Sequence, residues 1–229
     1  MTNQTIKENL QAVPLFRELS SEELEPIVEI SVARFFKQKM LVFMQDDPCD
    51  RVFFIRSGKI KIYKTVANGK EQIISVLDAG EMFPHAGFFR KGNYPAHAEV
   101  IEDATLIVTS IAEFEAILVR YPELCIKLFK VLGEKIVDLQ ARLEEQILHN
   151  TYEQIIMLLL RLCKSNARIE HDRFKLTTQF TNRELANMIG TTRETVSRTM
   201  NVLKKKQYIT VATDGCYLIN HHKLNEELF

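Results

Sequence analysis

Residues 181–205 constrain the fold more than any other stretch of the chain. Thr181-x-x-Glu184 and Thr191-x-x-Glu194 both have the spacing of a capping box, in which a Thr hydroxyl takes a helix's third backbone N–H and a Glu returns to the cap's own N–H. Gly190 lies between them, where left-handed backbone closes the first helix without strain. Two short helices therefore follow each other across a tight turn. At 3.6 residues per turn, Leu185, Ala186 and Ile189 of the first face Val196, Met200 and Leu203 of the second, a helix-turn-helix pattern. Asp214-Gly215, between YITVAT and CYLIN, adds a hairpin and makes the module winged.

The second helix, predicted from Thr191 to about Lys205, carries another stripe on its first two turns: Arg193, Glu194, Ser197 and Arg198, with Thr192 at its head. Arg makes a bidentate bond to guanine O6/N7 and Glu accepts from cytosine N4, so this stripe has the chemistry to read base edges in a major groove. Lys204 and Lys205, followed by Lys206, suit phosphates and also complement the helix dipole. The plainer reading is a solvated face, with Glu194 as a cap and Glu194–Arg198 as a surface pair one turn apart. Charge favours an anionic partner. The formal net charge of zero hides twelve Lys/Arg against eight Asp/Glu from residue 151 onward, leaving eighteen against twenty-two before it.

The other 150 residues have a different texture. SSEELEPIVEI (20–30) opens with a capping signature and reads as a short helix. Between 32 and 109, short apolar runs (VARFF, LVFM, RVFFIRSG, KIKIYK, QIISVL, ATLIVTS) alternate with turn signals at Ser57-Gly58, Asn68-Gly69 and Ala79-Gly80, the pattern of a β-sandwich or barrel. Ser110 caps IAEFEAILVRY, and Pro122 starts a helix that runs without a breaker to about His149. In it Phe129, Ile136 and Leu143 recur every seventh residue, with Leu132, Leu139 and Gln146 between them, which predicts a homodimer seam over Phe129, Leu132, Ile136, Leu139 and Leu143. A long helix packed on its own barrel is the alternative. Asn150-Thr151 reads as a hinge before a second, mostly helical domain. The expectation is an α+β chain with domains at 1–120, 121–150 (helix and hinge) and 151–229.

With 46% hydrophobic and 26% charged residues, the composition is that of an ordinary globular protein. No apolar run approaches the roughly 18 residues of a membrane span, and MTNQTIKENL lacks a signal-peptide pattern. Cys49, Cys125, Cys163 and Cys216 are scattered, with no C-x-x-C pair. They read as free thiols in a cytoplasmic protein.

The chain resembles the cAMP receptor protein/FNR (Crp/Fnr) family of transcription regulators over nearly its full length. RVFFIRSGKIKIYK and DAGEMF, the long helix and above all RETVSR carry the likeness. The resemblance implies an N-terminal β-roll (a cyclic-nucleotide-binding-like jelly roll), a dimerisation helix and a C-terminal winged helix-turn-helix. It also implies a homodimer on double-stranded promoter DNA, with RNA polymerase as partner and a TGTGA-like or TTGAT-like half-site.

Cyclic-nucleotide binders of the family carry G-E-L, whose Glu takes the ribose, and R-S-A or R-T-A, whose Arg pairs with the cyclic phosphate. Here GEMFPHAGFFRKGNYPAHAEV places His85 at that Glu, and Pro95-Ala96 at the Arg-Ser pair. Leu139-Gln140 stand where a Thr-Ser pair would meet adenine. Without the bidentate arginine most of the phosphate's anchoring is lost, so cyclic AMP is not the expected effector. The FNR branch's iron–sulfur cluster needs grouped cysteines, absent here. Haem-binding members use an axial His, but a His in a polar turn, such as His85 or His97, is more often only hydrogen-bonded. No metal or cofactor is expected. An unknown small, apolar or aromatic effector would sit among Met82, Phe83, His85, Phe88, Tyr94 and His97, facing Leu132, Ile136 and Leu139. Two alternatives stay open: a regulator without an effector, and a barrel enzyme holding a metal through His85, His97, Glu81 or Glu99. The enzyme reading lacks H-x-H or H-E-x-x-H spacing.

Overall fold

Alternation in RVFFIRS sends neighbouring side chains to opposite sides of one strand, and both sides are buried. Val52 and Phe54 enter one hydrophobic cluster, Phe53 and Ile55 another. The first lies against helices and the second fills the interior of the rolled sheet. The computed structural model describes residues 3–11, 13–16, 19–66, 69–85 and 92–228, in two compact units, Met1–Val137 and Asp138–Phe229.

The first unit opens with α1 (Asn3–Gln11) and a 3-10 turn (Pro14–Phe16), neither predicted from the sequence, then α2 (Ser21–Glu29). Ser20 caps α2 through the predicted box with Glu23. The strands are β1 (Ser31–Phe36), β2 (Leu41–Phe43), β3 (Arg51–Thr65), β4 (Glu71–Leu77), β5 (Met82–Phe83) and β6 (His97–Ser110). They form one antiparallel sheet of order β1-β6-β3-β4, with β2 added on β6 and β5 on β3. This is the expected β-roll.

Ser57-Gly58 is not a turn, contrary to the sequence expectation. RVFFIRSG and KIKIYK are one 15-residue strand whose register against β6 shifts on either side of Ser57. Gly58 has φ +87°, and a Cβ there would stand 2.4 Å from the Asp103 carbonyl oxygen and 2.6 Å from Ala104 Cα. Glycine here serves a β-bulge that lets two backbones touch. At the Asn68-Gly69 turn, Gly69 has φ +76° between the paired strands β3 and β4; Asn68 lies outside the described residues.

α3 (Ile111–Arg120) and α4 (Pro122–Leu148) follow. Ser110 is the N-cap of α3 by position, without a side-chain cap bond. Leu124 and Leu128 fix the start of α4 in the cluster built on Phe16, Phe54 and Phe114, with Val131 and Leu132 packed partly against it. Elsewhere on α4, Ile126, Phe129, Ile136, Leu143 and Ile147 are exposed, as are Val137, Leu139 and Leu148.

In the second unit, Asn150 caps α5 (Thr151–Ser165) in a capping box with Glu153. Strands β7 (Ala167–Glu170) and β8 (Arg173–Leu176), helices α6 (Asn182–Ile189) and α7 (Arg193–Lys205), strands β9 (Ile209–Val211) and β10 (Tyr217–Ile219), and α8 (His221–Glu226) complete the chain. The small sheet has the order β7-β8-β10-β9. The module is the expected winged helix-turn-helix.

Candidate nucleic-acid interface

Helix α6 is set as its sequence predicts. The Thr181 side chain accepts from Glu184 N–H at 3.2 Å, Glu184 accepts from Thr181 N–H at 2.8 Å, and Gly190 closes the helix at φ +75°. Leu185, Ala186 and Ile189 are buried, as are Val196, Met200 and Leu203 of α7. The two helices are thus held by apolar contact along one side of each.

The cap of α7 falls one residue later than the T-x-x-E pattern predicts. Thr192, not Thr191, is the N-cap; its hydroxyl accepts from Thr195 N–H at 3.2 Å and shares a hydrogen bond with the Thr195 hydroxyl at 3.0 Å. Glu194 is therefore not a capping residue. Arg193, Glu194 and Arg198 are exposed and Ser197 is half-buried. None of the four has a side-chain partner among the described residues, so Glu194 and Arg198 form no ion pair with each other. The carboxylate and guanidinium groups remain available in the first two turns.

The three lysines that follow differ. Lys205 is exposed and unpaired among the described residues. Lys204 lies over the Tyr217 ring, 5.6 Å from its centroid. Lys206 is bound to the Glu227 carboxylate, which also accepts from the Tyr152 hydroxyl at 2.9 Å; the ammonium holds the Glu227 carboxyl below its usual range. Lys206 thus ties the end of α7 to α8 and α5.

The wing is braced by a group that the sequence did not mark. Lys175 of β8 reaches Asp214 in the wing turn at 2.9 Å and Glu170 at 3.4 Å. Gly215 has φ +81°, and a Cβ there would stand 2.4 Å from the Gln179 amide, so the turn closes onto that side chain.

In the first unit, the residues expected around an effector separate into distinct places. Met82 and His85 line a cavity of about 150 Å³ together with Val13, Leu15, Gly80, Glu81, Val131, Glu134 and Lys135. Burial, and then the nearby Lys135 charge, push the His85 imidazole down to about 4, with Glu81 opposing, so it is neutral at pH 7. Phe83 and Tyr94 instead belong to the roll interior. Tyr94 stacks on Phe43 at 3.7 Å, and Phe83 stacks on Phe53 at 5.2 Å. His97 stacks on Tyr63 at 4.9 Å, and its Nδ1 accepts from Gln45 N–H at 3.1 Å. Leu132 packs partly on the helical core, whereas Ile136 and Leu139 are exposed. Phe88 lies outside the described residues. Glu81 pairs with Lys135 and Glu99 with Lys61, and among the described residues no three His, Cys, Asp or Glu side chains gather as metal ligands would.

Comparison with known proteins agrees with this architecture. Residues 33–121 match the cyclic nucleotide-binding domain family, and residues 153–227 the Crp-like helix-turn-helix domain family. The chain is 24% identical over 219 residues to the cyclic AMP receptor protein of Thermus thermophilus, covering 96% of this chain and 98% of that one. It is 23% identical to the global nitrogen regulator of a Synechocystis species, covering 98% and 99%. Among solved structures, a CooA variant from Carboxydothermus hydrogenoformans has the same fold, with a TM-score of 0.74 at 22% identity over 95% of each chain. The relatives are regulators rather than enzymes, and no helix among the described residues is long and apolar enough to cross a membrane. The β-roll, the long helix and the winged helix-turn-helix, with both domain families matched in order, place this chain in the Crp/Fnr family of DNA-binding transcription regulators.

Proposed function

We propose that the chain acts as a homodimer that reads a two-fold-symmetric promoter site through α7 and responds to an effector other than cyclic AMP. One observation carries the reading. The buried side of α7 is fixed by Val196, Met200 and Leu203, while Arg193, Glu194, Ser197 and Arg198 form an outer face with no partner among the described residues. In that frame Arg198 takes the main guanine, Glu194 the cytosine, and Arg193 a second guanine or a phosphate. Thr192, Lys204 and Lys205 supply backbone contacts. The family supports work at promoters in the cytoplasm with RNA polymerase as partner.

The exposed stripe of α4 supports the dimer. Its best-placed members are Ile126, Phe129, Ile136, Leu143 and Ile147, each more than half exposed. Leu139 flanks the stripe, and the half-buried Leu132 lies at its edge. Apolar rows of this length on a helix are covered by a partner in the working state.

Cyclic AMP, the ligand in the Thermus relative's name, lacks its anchors here. His85 and Pro95-Ala96 stand where the family's Glu and Arg-Ser pair would be. Four aromatic rings, Phe43, Phe53, Phe83 and Tyr94, pack against one another in the roll. An iron–sulfur cluster would likewise need grouped thiolates, and Cys49, Cys125, Cys163 and Cys216 are scattered along the sequence. Selection of bound sequences from a random DNA pool tests the reading. The expected product is an inverted repeat with half-sites about one helical turn apart, and an enriched site without two-fold symmetry would overturn it.

A further inference from the structure

The cavity beside α4 has a lining that specifies more than "a small effector". Val13, Leu15, Met82 and Val131 give it an apolar wall. Its volume, about 150 Å³, is of the size that accepts a single benzene-like ring. The one lysine of the lining, Lys135, is already neutralised by Glu81 at 2.9 Å, and Glu134 adds a second carboxylate. With His85 neutral, the lining carries a net charge of −1. An anion entering the cavity would meet that charge and compete with Glu81 for the ammonium. A cation would be drawn by that charge, but Glu134 is exposed and screened by water, while leaving water for the apolar wall costs a cation more than a neutral group. The His85 ring is half-buried and has no hydrogen-bond partner among the described residues; a neutral imidazole presents either a donor or an acceptor nitrogen to the cavity, and a hydroxyl can answer whichever one it is.

We infer that this cavity, resting on the effector-gated reading above, binds a neutral ring-sized molecule with a single hydroxyl head, of the phenol or small cyclic alcohol class. The hydroxyl meets His85 and the ring lies on Val13, Leu15, Met82 and Val131. The site also has a route to the dimer helix. Val131 and Lys135 are part of α4, and Ile136, the next residue, lies on its exposed apolar stripe. A ligand that moves the Lys135–Glu81 bridge therefore acts directly on the helix that carries the dimer seam.

The test uses the full chain with methyl-labelled methionine, Met82→Leu identifying the Met82 resonance. Phenol, benzoate and benzylammonium are titrated as neutral, anionic and cationic single-ring probes, and benzamide and benzyl alcohol, which match the two ions in size, separate the effect of charge from that of bulk. Phenol should shift the Met82 methyl saturably, with both charged probes at least tenfold weaker. Val131→Phe, which fills the cavity, should abolish the shift, and the milder Val131→Leu should weaken it. No saturable shift with phenol overturns the site, and tighter binding of either charged probe overturns the ligand class. Because Met82 is read without DNA, the outcome separates from the regulatory reading. Saturable phenol binding with unchanged affinity for the selected DNA site would keep the site and remove its role as the effector switch.

Discussion

If the chain pairs through α4 as proposed, replacing Ile136 by Asp should separate the dimer without unfolding the chain. Ile136 is 56% exposed, and its neighbours on the same face, Phe129 and Leu143, are 70% and 62% exposed. Full burial of such a side chain contributes about 1.5–3 kcal/mol, so covering the exposed half contributes roughly 1–1.5 kcal/mol. Two-fold symmetry places the substitution twice in the interface, giving about 2–3 kcal/mol and a roughly 30- to 150-fold weaker dimer constant. This is a lower bound, because each new carboxylate must also be desolvated near its symmetry mate. Sedimentation equilibrium over a micromolar range reads the constant. Circular dichroism and the melting temperature at high dilution read the fold, which should hold, since Leu124 and Leu128 anchor α4 independently. An unchanged dimer constant would refute the seam. A monomer that melts several degrees lower than the dissociated parent would show instead that Ile136 supports its own domain.

Two further outcomes follow from the geometry. Gly58→Ala places a Cβ against backbone atoms at 2.4 and 2.6 Å in a left-handed conformation, for a loss of roughly 2–5 kcal/mol. Gly190→Ala, also left-handed but with nothing within 4 Å, should lose about 1 kcal/mol; equal losses in denaturant titration would contradict the bulge. His85 gives a pH signature. Its pKa is pushed down to about 4 from an unfolded value near 6.5, so the unfolded chain binds the extra proton between these values. The stability that depends on a neutral His85 is full above pH 6.5 and is lost as pH falls toward 4, by about 2–3 kcal/mol. Against His85→Gln, the wild type should lose more unfolding free energy over that window, and parallel curves would refute the buried neutral imidazole.

Local signals were the legible ones. The capping box of α6, Gly190, and the apolar and polar stripes of α7 depend on residues a few positions apart, and each is found as the sequence spacing predicts. The cap of α7 moved from Thr191 to Thr192 because two adjacent threonines offer the same hydroxyl, and the spacing of Glu194 favoured the wrong one. Ser57-Gly58 read as a turn because glycine suits both a turn and a bulge; only pairing with β6, some forty residues later, decides between them. The exposed apolar row of α4 was legible as a seven-residue repeat, but not its full extent. Leu132 is drawn toward the core, while Ile126 and Ile147 extend the exposed row. The cavity was least legible. Met82 and His85 are near in sequence, but Val13, Leu15, Val131 and Lys135 come from distant elements, and nothing in their residue types marks them. Lys206 shows the same limit, since its partner Glu227 lies beyond any local pattern.

If the polar face of α7 reads bases, removing the Arg198 guanidinium must change which bases are preferred. Binding of the wild type, Arg198→Ala and Lys205→Ala is measured against every single-base variant of the selected site, at several salt concentrations. Arg198→Ala should lose roughly 1–3 kcal/mol per half-site and relax preference at one symmetric base pair. Lys205→Ala should weaken all sequences alike and lower the salt slope by about one. If Arg198→Ala keeps the full base preference of the wild type, the stripe is a solvated face and the reading of α7 is wrong.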